Sequence, residues 1–390
     1  MKAWPKVGLA KLLRRSDESA VLDPAAEYHE VTIKLWGKGV VSRGKVRGSD
    51  VVSVRRVVRA NQLILSKIDA RNGAIGLVPQ ELDGAIVSND FPSFEFADSK
   101  QLDPAFMSWM VRSRHFVELC KAASEGTTNR VRIKEERFLA QQIPLPPIAE
   151  QQAIVSRLDM LADKARQVNE HLDAIERDSL RLLVTMATRK DISDAQRHAL
   201  GWRETAISNI AELALDPRKV DSVESYPNIG IYSFARGLFE KPAIDGATTS
   251  AKTLYRIRQG QFIYSRLFAF EGAYALVPQE FDGYFVSNEF PTFDVNPERA
   301  SAKFLMALFL TDADWHGLRA ASKGVGDRRL RIQPEHILAR RIWLPPHHEQ
   351  SRLERIFDLH FALKARHATI RQANDALIPA TLERVFSGGD

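Results

Sequence analysis

Cysteine is almost absent from these 390 residues: Cys120 is the only one. A lone thiol cannot build an internal disulfide framework, and it excludes zinc sites made from several thiolates. No apolar run approaches the ~20 residues that cross a bilayer, and Met1-Lys2-Ala3-Trp4-Pro5 lacks the apolar stretch of a secretory leader. These absences predict a soluble, cytoplasmic protein that does not engage a membrane. Catalytic signatures are missing as well. There is no Asn-Pro-Pro-aromatic or Asp-Pro-Pro-aromatic sequence of an amino-methyltransferase, no Gly-rich phosphate loop ending in Gly-Lys-Ser/Thr, and no spaced set of zinc ligands.

The composition is 44% hydrophobic and 27% charged, enough for real cores in two or three domains. The net charge of +6 is weak evidence for a polyanionic partner, and its distribution says more. Lys34, Lys38, Arg43, Lys45, Arg47, Arg55, Arg56, Arg59, Lys67 and Arg71 face only Asp50 and Asp69 within their own stretch. Residues 319–341 form a second basic knot, opposed by Asp327 and Glu335. Both are candidate phosphate-binding surfaces.

Self-similarity decides the architecture. Leu77-Val78-Pro79-Gln80-Glu81-Leu82-Asp83-Gly84 recurs as Leu276-Val277-Pro278-Gln279-Glu280-Phe281-Asp282-Gly283, and Val87-Ser88-Asn89 recurs as Val286-Ser287-Asn288. The offset of about 199 also relates Gln62 to Gln261, Ser66 to Ser265, Arg130 to Arg329, Arg132 to Arg331 and Glu150 to Glu349, with no gap for about 95 residues. The chain is therefore two copies of one unit. In the first copy, residues 57–96 read as short strands broken by turn dipeptides such as Asn72-Gly73 and Asp83-Gly84. A helix is expected over 104–123, then a polar loop over 124–129 and a basic strand over 130–133. The second copy repeats this with a helix over 301–318, a loop over 320–327 and a strand over 328–332. Upstream, residues 27–50 share little with 225–249, so the framework is expected to repeat while the tips do not.

Ile143-Pro144-Leu145-Pro146-Pro147 is a stiff lead-in to a long helix over about 150–187. Ile154, Leu158, Leu161, Ala165, Val168, Leu172, Ile175, Leu182 and Met186 follow a coiled-coil period, with Ser179 in the one polar slot. Such a rod of roughly 54 Å cannot bury its seam alone. A second helix, opened by Ile342-Trp343-Leu344-Pro345-Pro346 and running to about Phe386, offers Ile356, Leu359, Leu363, Ile370, Ala373, Leu377 and Ala380, with Arg366 as a misfit. Its phase sits about one position away from the 199 offset. The expected fold is α+β: two repeated mixed α/β heads separated by a pair of long antiparallel coiled-coil helices with approximate two-fold symmetry. The boundaries read as 1–148 for the first head, 149–190 for the central helix, 191–347 for the second head and 348–390 for the C-terminal helix.

This sequence resembles the DNA-specificity subunits of type I restriction-modification enzymes along essentially its whole length. The resemblance rests on Ile143-Pro144-Leu145-Pro146-Pro147-Ile148-Ala149-Glu150-Gln151-Gln152 opening a long helix, on its echo Leu344-Pro345-Pro346-His347-His348-Glu349-Gln350, and on Gly126-Thr127-Thr128-Asn129-Arg130-Val131-Arg132-Ile133 upstream. It departs at Trp343 and His347-His348. The resemblance implies that each head is a target-recognition domain reading one half of a bipartite, asymmetric duplex site, with the helices as a spacer. It implies two modification subunits that hold S-adenosylmethionine and methylate adenine at N6, and motor-nuclease subunits that use ATP and magnesium. The chain itself would be non-catalytic and bind no cofactor. A two-headed protein-interaction scaffold is the alternative, and an enzyme with an unrecognised site a third.

Arg suits bidentate contact with guanine, and Asn with adenine, in a major groove. The expected DNA-binding residues are Arg43, Lys45, Lys67, Arg71, Asn72, Thr128, Asn129, Arg130 and Arg132 in the first head. In the second they are Arg236, Lys241, Arg266, Lys323, Arg328, Arg329 and Arg331. Any of these is also readable as ordinary surface charge. Arg132 and Arg331 occupy equivalent places, which favours a structural or phosphate role over base reading. No catalytic or metal residue is expected: Asp312, Asp314 and His316 read as solvated surface, and His347-His348-Glu349 as a helix start. Arg157, Lys164, Arg166 and Arg177, on the flanks of the central helix, are candidates for meeting a partner subunit.

Overall fold

The computed structural model describes residues 4–126, 131–311, 315 and 331–386. The chain divides into two compact units, residues 1–170 with 369–390, and residues 171–368. In the first, one sheet runs in the order Leu13–Ser16, Ser93–Phe96, Leu63–Leu65, Ile75–Leu77, and a second in the order Val40–Arg47, Glu27–Ile33, Ile86–Val87, Arg56–Val57. In the second unit the corresponding sheets are Ala211–Leu213, Thr292–Val295, Phe262–Tyr264, Tyr274–Leu276 and Pro217–Lys219, Thr253–Arg256, Phe285–Val286, Ser225–Ile231, Leu238–Asp245.

Strand Leu63–Leu65 is apolar throughout because it serves two cores at once. The two-residue period of a strand sends Leu63 and Leu65 into a core with Phe106, Met110, Phe116 and Cys120, and Ile64 into a smaller one with Val31, Val58 and Val87. Phe262 and Tyr264 against Ile263 divide the second unit in the same way. Truncating Phe106, which is fully buried, to alanine would cost about 3–5 kcal/mol. Burial also pushes the Cys120 thiol up to about 12, leaving it protonated and unreactive.

The helix expected over 104–123 is two helices. Pro104–Met110 starts at Asp103, whose carboxylate accepts from the Ala105 amide at 2.8 Å. Arg114–Ala122 starts anew at Ser113, whose hydroxyl accepts from the Phe116 amide and donates to the Met110 carbonyl at 2.7 Å. In the second unit Ala302–Ala307 is helical, with Ser301 as its cap. Of the basic strands, Arg132–Ile133 pairs with Ser124–Glu125; residues 127–130 and 316–330 lie outside the described residues.

The long helices are Ile148–Thr188, 41 residues, and His347–Phe386, 40 residues. Within each unit their segments pair antiparallel. In the first, Leu158 shares a core with Leu382 and Phe386, and the Asn374 side chain donates to the Ala165 carbonyl at 2.7 Å and to Asn169 at 3.2 Å. In the second, Glu176 meets His367 at 2.8 Å, Ser179 meets His360 at 2.8 Å, and Leu183 shares a core with Leu353 and Phe357.

The expected seams are half right. Leu158 and Leu172 are buried as expected, but Val168, Ile175 and Leu182 are exposed, and the row assigned to them is filled one residue later by Asn169, Glu176 and Leu183. On the C-terminal helix the buried face runs through Leu353, Phe357, His360, His367, Leu382 and Phe386, while Leu359, Ile370 and Leu377 are exposed. Gln350 and Phe357 lie 199 positions from Gln151 and Leu158, so the phase discrepancy disappears. Its cause is a polar layer: Asn374, His367 and His360 sit in the contact face because each has a partner across it, and such pairs fix one register among several.

The hairpin tips also differ from expectation. Hairpin Glu27–Ile33 with Val40–Arg47 and hairpin Ser225–Ile231 with Leu238–Asp245 have the same length and mounting, at an offset of 198 rather than 199. In each, a tyrosine hydroxyl accepts an amide at the hairpin base, Tyr28 from Asp23 at 2.8 Å and Tyr226 from Asp221 at 2.7 Å. In each a glycine passes so close that an added Cβ would lie 2.1 Å (Gly48) or 1.9 Å (Gly246) from a carbonyl oxygen.

Candidate nucleic-acid interface

Each hairpin ends in a six-residue loop, 34–39 or 232–237, that rests on a one-turn helix of the shared framework. The Trp36 and Gly37 amides each donate to the carbonyls of Asn72 and Gly73 at 2.9 Å, and the Phe234 and Ala235 amides to those of Glu271 and Gly272 at 2.7 Å. To aim both amides at the turn, Trp36 and Phe234 take φ of 61° and 63°, a left-handed conformation costing a large L-residue roughly 1–2 kcal/mol. Their rings gain little burial in return: Trp36 is 69% and Phe234 61% exposed.

The residues expected to meet DNA separate into two sets. Arg43 is the extra residue of a bulge, since Glu30 pairs with Gly44 and Val31 with Ser42, and its side chain is exposed. Lys45 lies opposite His29, 4.0 Å from Glu27. Arg71 and Asn72 belong to the turn Ala70–Asn72 beneath the Trp36 loop, and the Asn72 amide reaches Asp69 at 3.4 Å. Arg236 lies in the second loop, with its guanidinium 5.3 Å from the Tyr232 ring and 5.8 Å from that of Phe234. Lys241 lies along the same hairpin, 5.8 Å from the Phe290 ring.

The other set is engaged within its own unit. Lys67 pairs with Glu135 at 2.8 Å, Arg132 with Asp90 at 2.8 Å, and Arg331 with Glu289 at 2.9 Å; Arg266 donates to Gln333 at 2.6 Å. Arg132 with Asp90 and Arg331 with Glu289 are one framework ion pair repeated at the 199 offset. Thr128, Asn129, Arg130, Lys323, Arg328 and Arg329 lie outside the described residues, as do Asp312, Asp314 and His316. Among the described residues no group of three His, Cys, Asp or Glu side chains is placed to hold a metal ion, and no helix is long and apolar enough to cross a membrane.

Counting charge by stretch overstated the first basic surface. Arg55 pairs with Glu30 at 3.1 Å, Arg56 with Asp17, and Arg59 with Glu18, carboxylates that all come from outside residues 34–71. The hydrogen bond from Arg59 holds the Glu18 carboxyl below the usual carboxylate range. Sequence reasoning also passed over a basic knot in the second unit, where Arg218, Arg256 and Arg258 lie 3.2, 2.8 and 3.1 Å from the single carboxylate of Asp216. Burial raises the Asp216 pKa, but the hydrogen bonds from Arg256 and Arg258 and the charges of Arg218 and Arg256 together leave it lowered. The knot keeps a net positive charge.

A further pair of residues sets each recognition unit on its helix. Gln151, fully buried one turn into the central helix, donates to the Gln101 carbonyl at 2.8 Å and the Pro146 carbonyl at 2.9 Å, and accepts from the Asp103 amide at 2.9 Å. Gln350 does the same, donating to the Pro345 carbonyl at 2.9 Å and accepting from the Ser301 amide at 2.8 Å. Glu150 stands in the first turn of the central helix, where a carboxylate suits the positive end of the dipole. Its neighbour makes the buried contacts, and the signal for it was the exact recurrence of Gln151 as Gln350.

Each unit is thus one α+β framework on a long helix, carrying a hairpin with cationic residues and an aromatic at its apex. Residues 41–177 match the type I restriction modification DNA specificity domain, and the second unit repeats that domain's framework. Two solved structures share the fold. The HsdS subunit from Thermoanaerobacter tengcongensis matches with a TM-score of 0.55 and 20% identity over 100% of this chain and 97% of its own. A structure described as the basis of complex assembly and conformational transition of the type I R-M system matches with a TM-score of 0.65 and 19% identity over 98% of this chain and 97% of that one. No protein with a curated description matches the chain. Over residues 41–177 the chain thus carries a type I restriction modification DNA specificity domain, and as a whole it has the fold of the solved HsdS subunit.

Proposed function

We propose that this chain reads a bipartite, asymmetric duplex site, one half per unit, and so directs adenine N6 methylation and restriction by partner subunits. The observation that carries this is one mount bearing unlike tips. The same hairpin rests on the same turn in both units, yet one loop presents Lys34, Leu35, Trp36 and Lys38 and the other Tyr232, Ser233, Phe234 and Arg236. Two identical readers would recognise a symmetric site; two unlike ones suit an asymmetric one. Arg43, Lys45, Arg71, Asn72, Arg236 and Lys241 are the residues available for contact. Lys67, Arg132, Arg266 and Arg331, already paired, act more by orienting the surface or touching phosphate.

In this reading two modification subunits carry S-adenosylmethionine, and motor-nuclease subunits carry ATP and magnesium. The helical segments set the unread gap. Apolar side chains left exposed on those helices, Val168, Ile370 and Leu377 in one unit and Ile175, Leu182 and Leu359 in the other, support docking of the modification subunits there. Methylome mapping in cells carrying the chain with its modification partner tests the assignment. The expected result is two short methylated half-sites with a fixed spacing, and exchange of residues 1–140 for those of another specificity protein should replace one half and leave the other. Duplex binding that is absent or insensitive to salt would favour a protein-interaction scaffold instead.

A further inference from the structure

The exposure of Trp36 and Phe234 is not explained by packing. Each is a large aromatic held in left-handed backbone at the apex of its hairpin, clamped through two amides and mostly exposed. An aromatic stands at this apex in both units although the surrounding loop sequences diverge. Strain of this kind persists only where the neighbouring structure dictates it, and it clusters at sites of function. The clamp holds the backbone and leaves most of each ring in solvent, although the Phe234 ring also meets the edge of Trp315, with centroids 6.0 Å apart.

The surroundings say what the ring meets. Lys34 and Lys38 flank Trp36, Arg71 lies on the turn beneath, and no carboxylate among the described residues pairs with any of the three. In the second unit Arg236 lies over the face of Phe234 and donates to the Ser233 carbonyl at 3.0 Å; the one acid close by, Glu271, is held by the Ser233 hydroxyl at 3.1 Å. A stiffly mounted aromatic beside cations that have no carboxylate partner among the described residues, Lys34, Lys38 and Arg71 in the first unit and Arg236 in the second, matches a polyanion that carries stacked rings. An apolar protein surface would call for an apolar rim instead.

Resting on the DNA-reading function above, we propose that Trp36 and Phe234 are stacking wedges, one in each unit, that insert at a base step of the half-site that unit reads. The neighbouring cations hold the flanking phosphates while the ring parts the step. Side chains used in this way unstack one step and bend the duplex, and sequence preference follows from which steps part readily. Part of the specificity thus comes from deformability at a position where no base edge is hydrogen-bonded.

The test uses the full chain assembled with its modification partner, on duplexes carrying the mapped target with 2-aminopurine placed at each half-site position in turn. Besides the methylated adenine, which a methyltransferase takes out of the stack, one further position in each half-site should brighten on binding. W36A should abolish the signal in one half only and weaken binding about ten-fold or more, F234A should do so in the other half, and W36F should retain most of both. Both rings are exposed, so the variants should keep the wild-type melting curve. The proposal is overturned by a wild-type complex that brightens no position other than the methylated adenine, by W36A and F234A behaving as wild type, or by either variant keeping DNA affinity while losing the modification subunit on gel filtration. Failure of the unaltered complex to bind duplex at all would overturn the DNA-reading function itself, and this inference with it.

Discussion

Replacing Gln151 with alanine tests the junction between the first recognition unit and its helix. The side chain is fully buried and makes three hydrogen bonds, to the Gln101 and Pro146 carbonyls and from the Asp103 amide. Truncation leaves those backbone groups without their partner, at about 1–3 kcal/mol each before relaxation. Partial entry of water reduces the total to about 3–5 kcal/mol. Gln151→Glu should be at least as damaging, because it places a carboxylate against two carbonyl oxygens. The assay is urea unfolding followed by hydrogen exchange, which separates the units. Q151A should lower protection in residues 1–170 and leave 171–368 unchanged, and Q350A should do the reverse. A loss below about 1 kcal/mol would show that the staple is ornamental and that the proline lead-in alone seats the helix.

Acid should loosen the helix pair of the second unit. His360 is held below its ordinary pKa by burial first and by Lys364 next, with Glu176 opposing. The unfolded chain therefore binds the proton more readily. Stability is complete above the unfolded value of about 6.5 and falls as pH drops toward the folded one, so thermal melts from pH 7.5 to 5 should show a slope that His360→Asn flattens. Gly246→Ala should destabilise the second hairpin by roughly 2–3 kcal/mol, since a Cβ 1.9 Å from the Asp221 oxygen forces the backbone to move; wild-type urea curves would contradict the packing described. Adding one heptad to both long helices, between Asn169 and Glu176 and between His367 and Asn374, lengthens the pair by about 10.5 Å. The methylated site should then gain about three unread base pairs; an unchanged gap refutes the spacer role.

The duplication, the short strands and the starts of both long helices were legible because each depends on local signals: turn glycines, prolines, capping residues and recurring octapeptides. The helical seam was not, because burial there follows pairing rather than polarity. Asn374 and His367 lie inside by virtue of Asn169 and Glu176, while Ile175 and Leu182 lie outside. The hairpin repeat was hidden by a one-residue change of offset and rested on a few identities: Asp23 and Asp221, Tyr28 and Tyr226, Ile33 and Ile231, Gly39 and Gly237, and Gly48 and Gly246. Charge counting failed for a similar reason, since Asp17 and Glu135 reach Arg56 and Lys67 only through the fold.

The apex loops are fastened to their turns by main-chain amides, with carbonyls as the receiving groups. Peptide groups are the same whatever residue they belong to, so the identity of positions 34 to 38 is chemically decoupled from the fastening. New side chains can accumulate there without loosening the joint, and a protein whose partners require a constant body can acquire a different vocabulary at its fingertips.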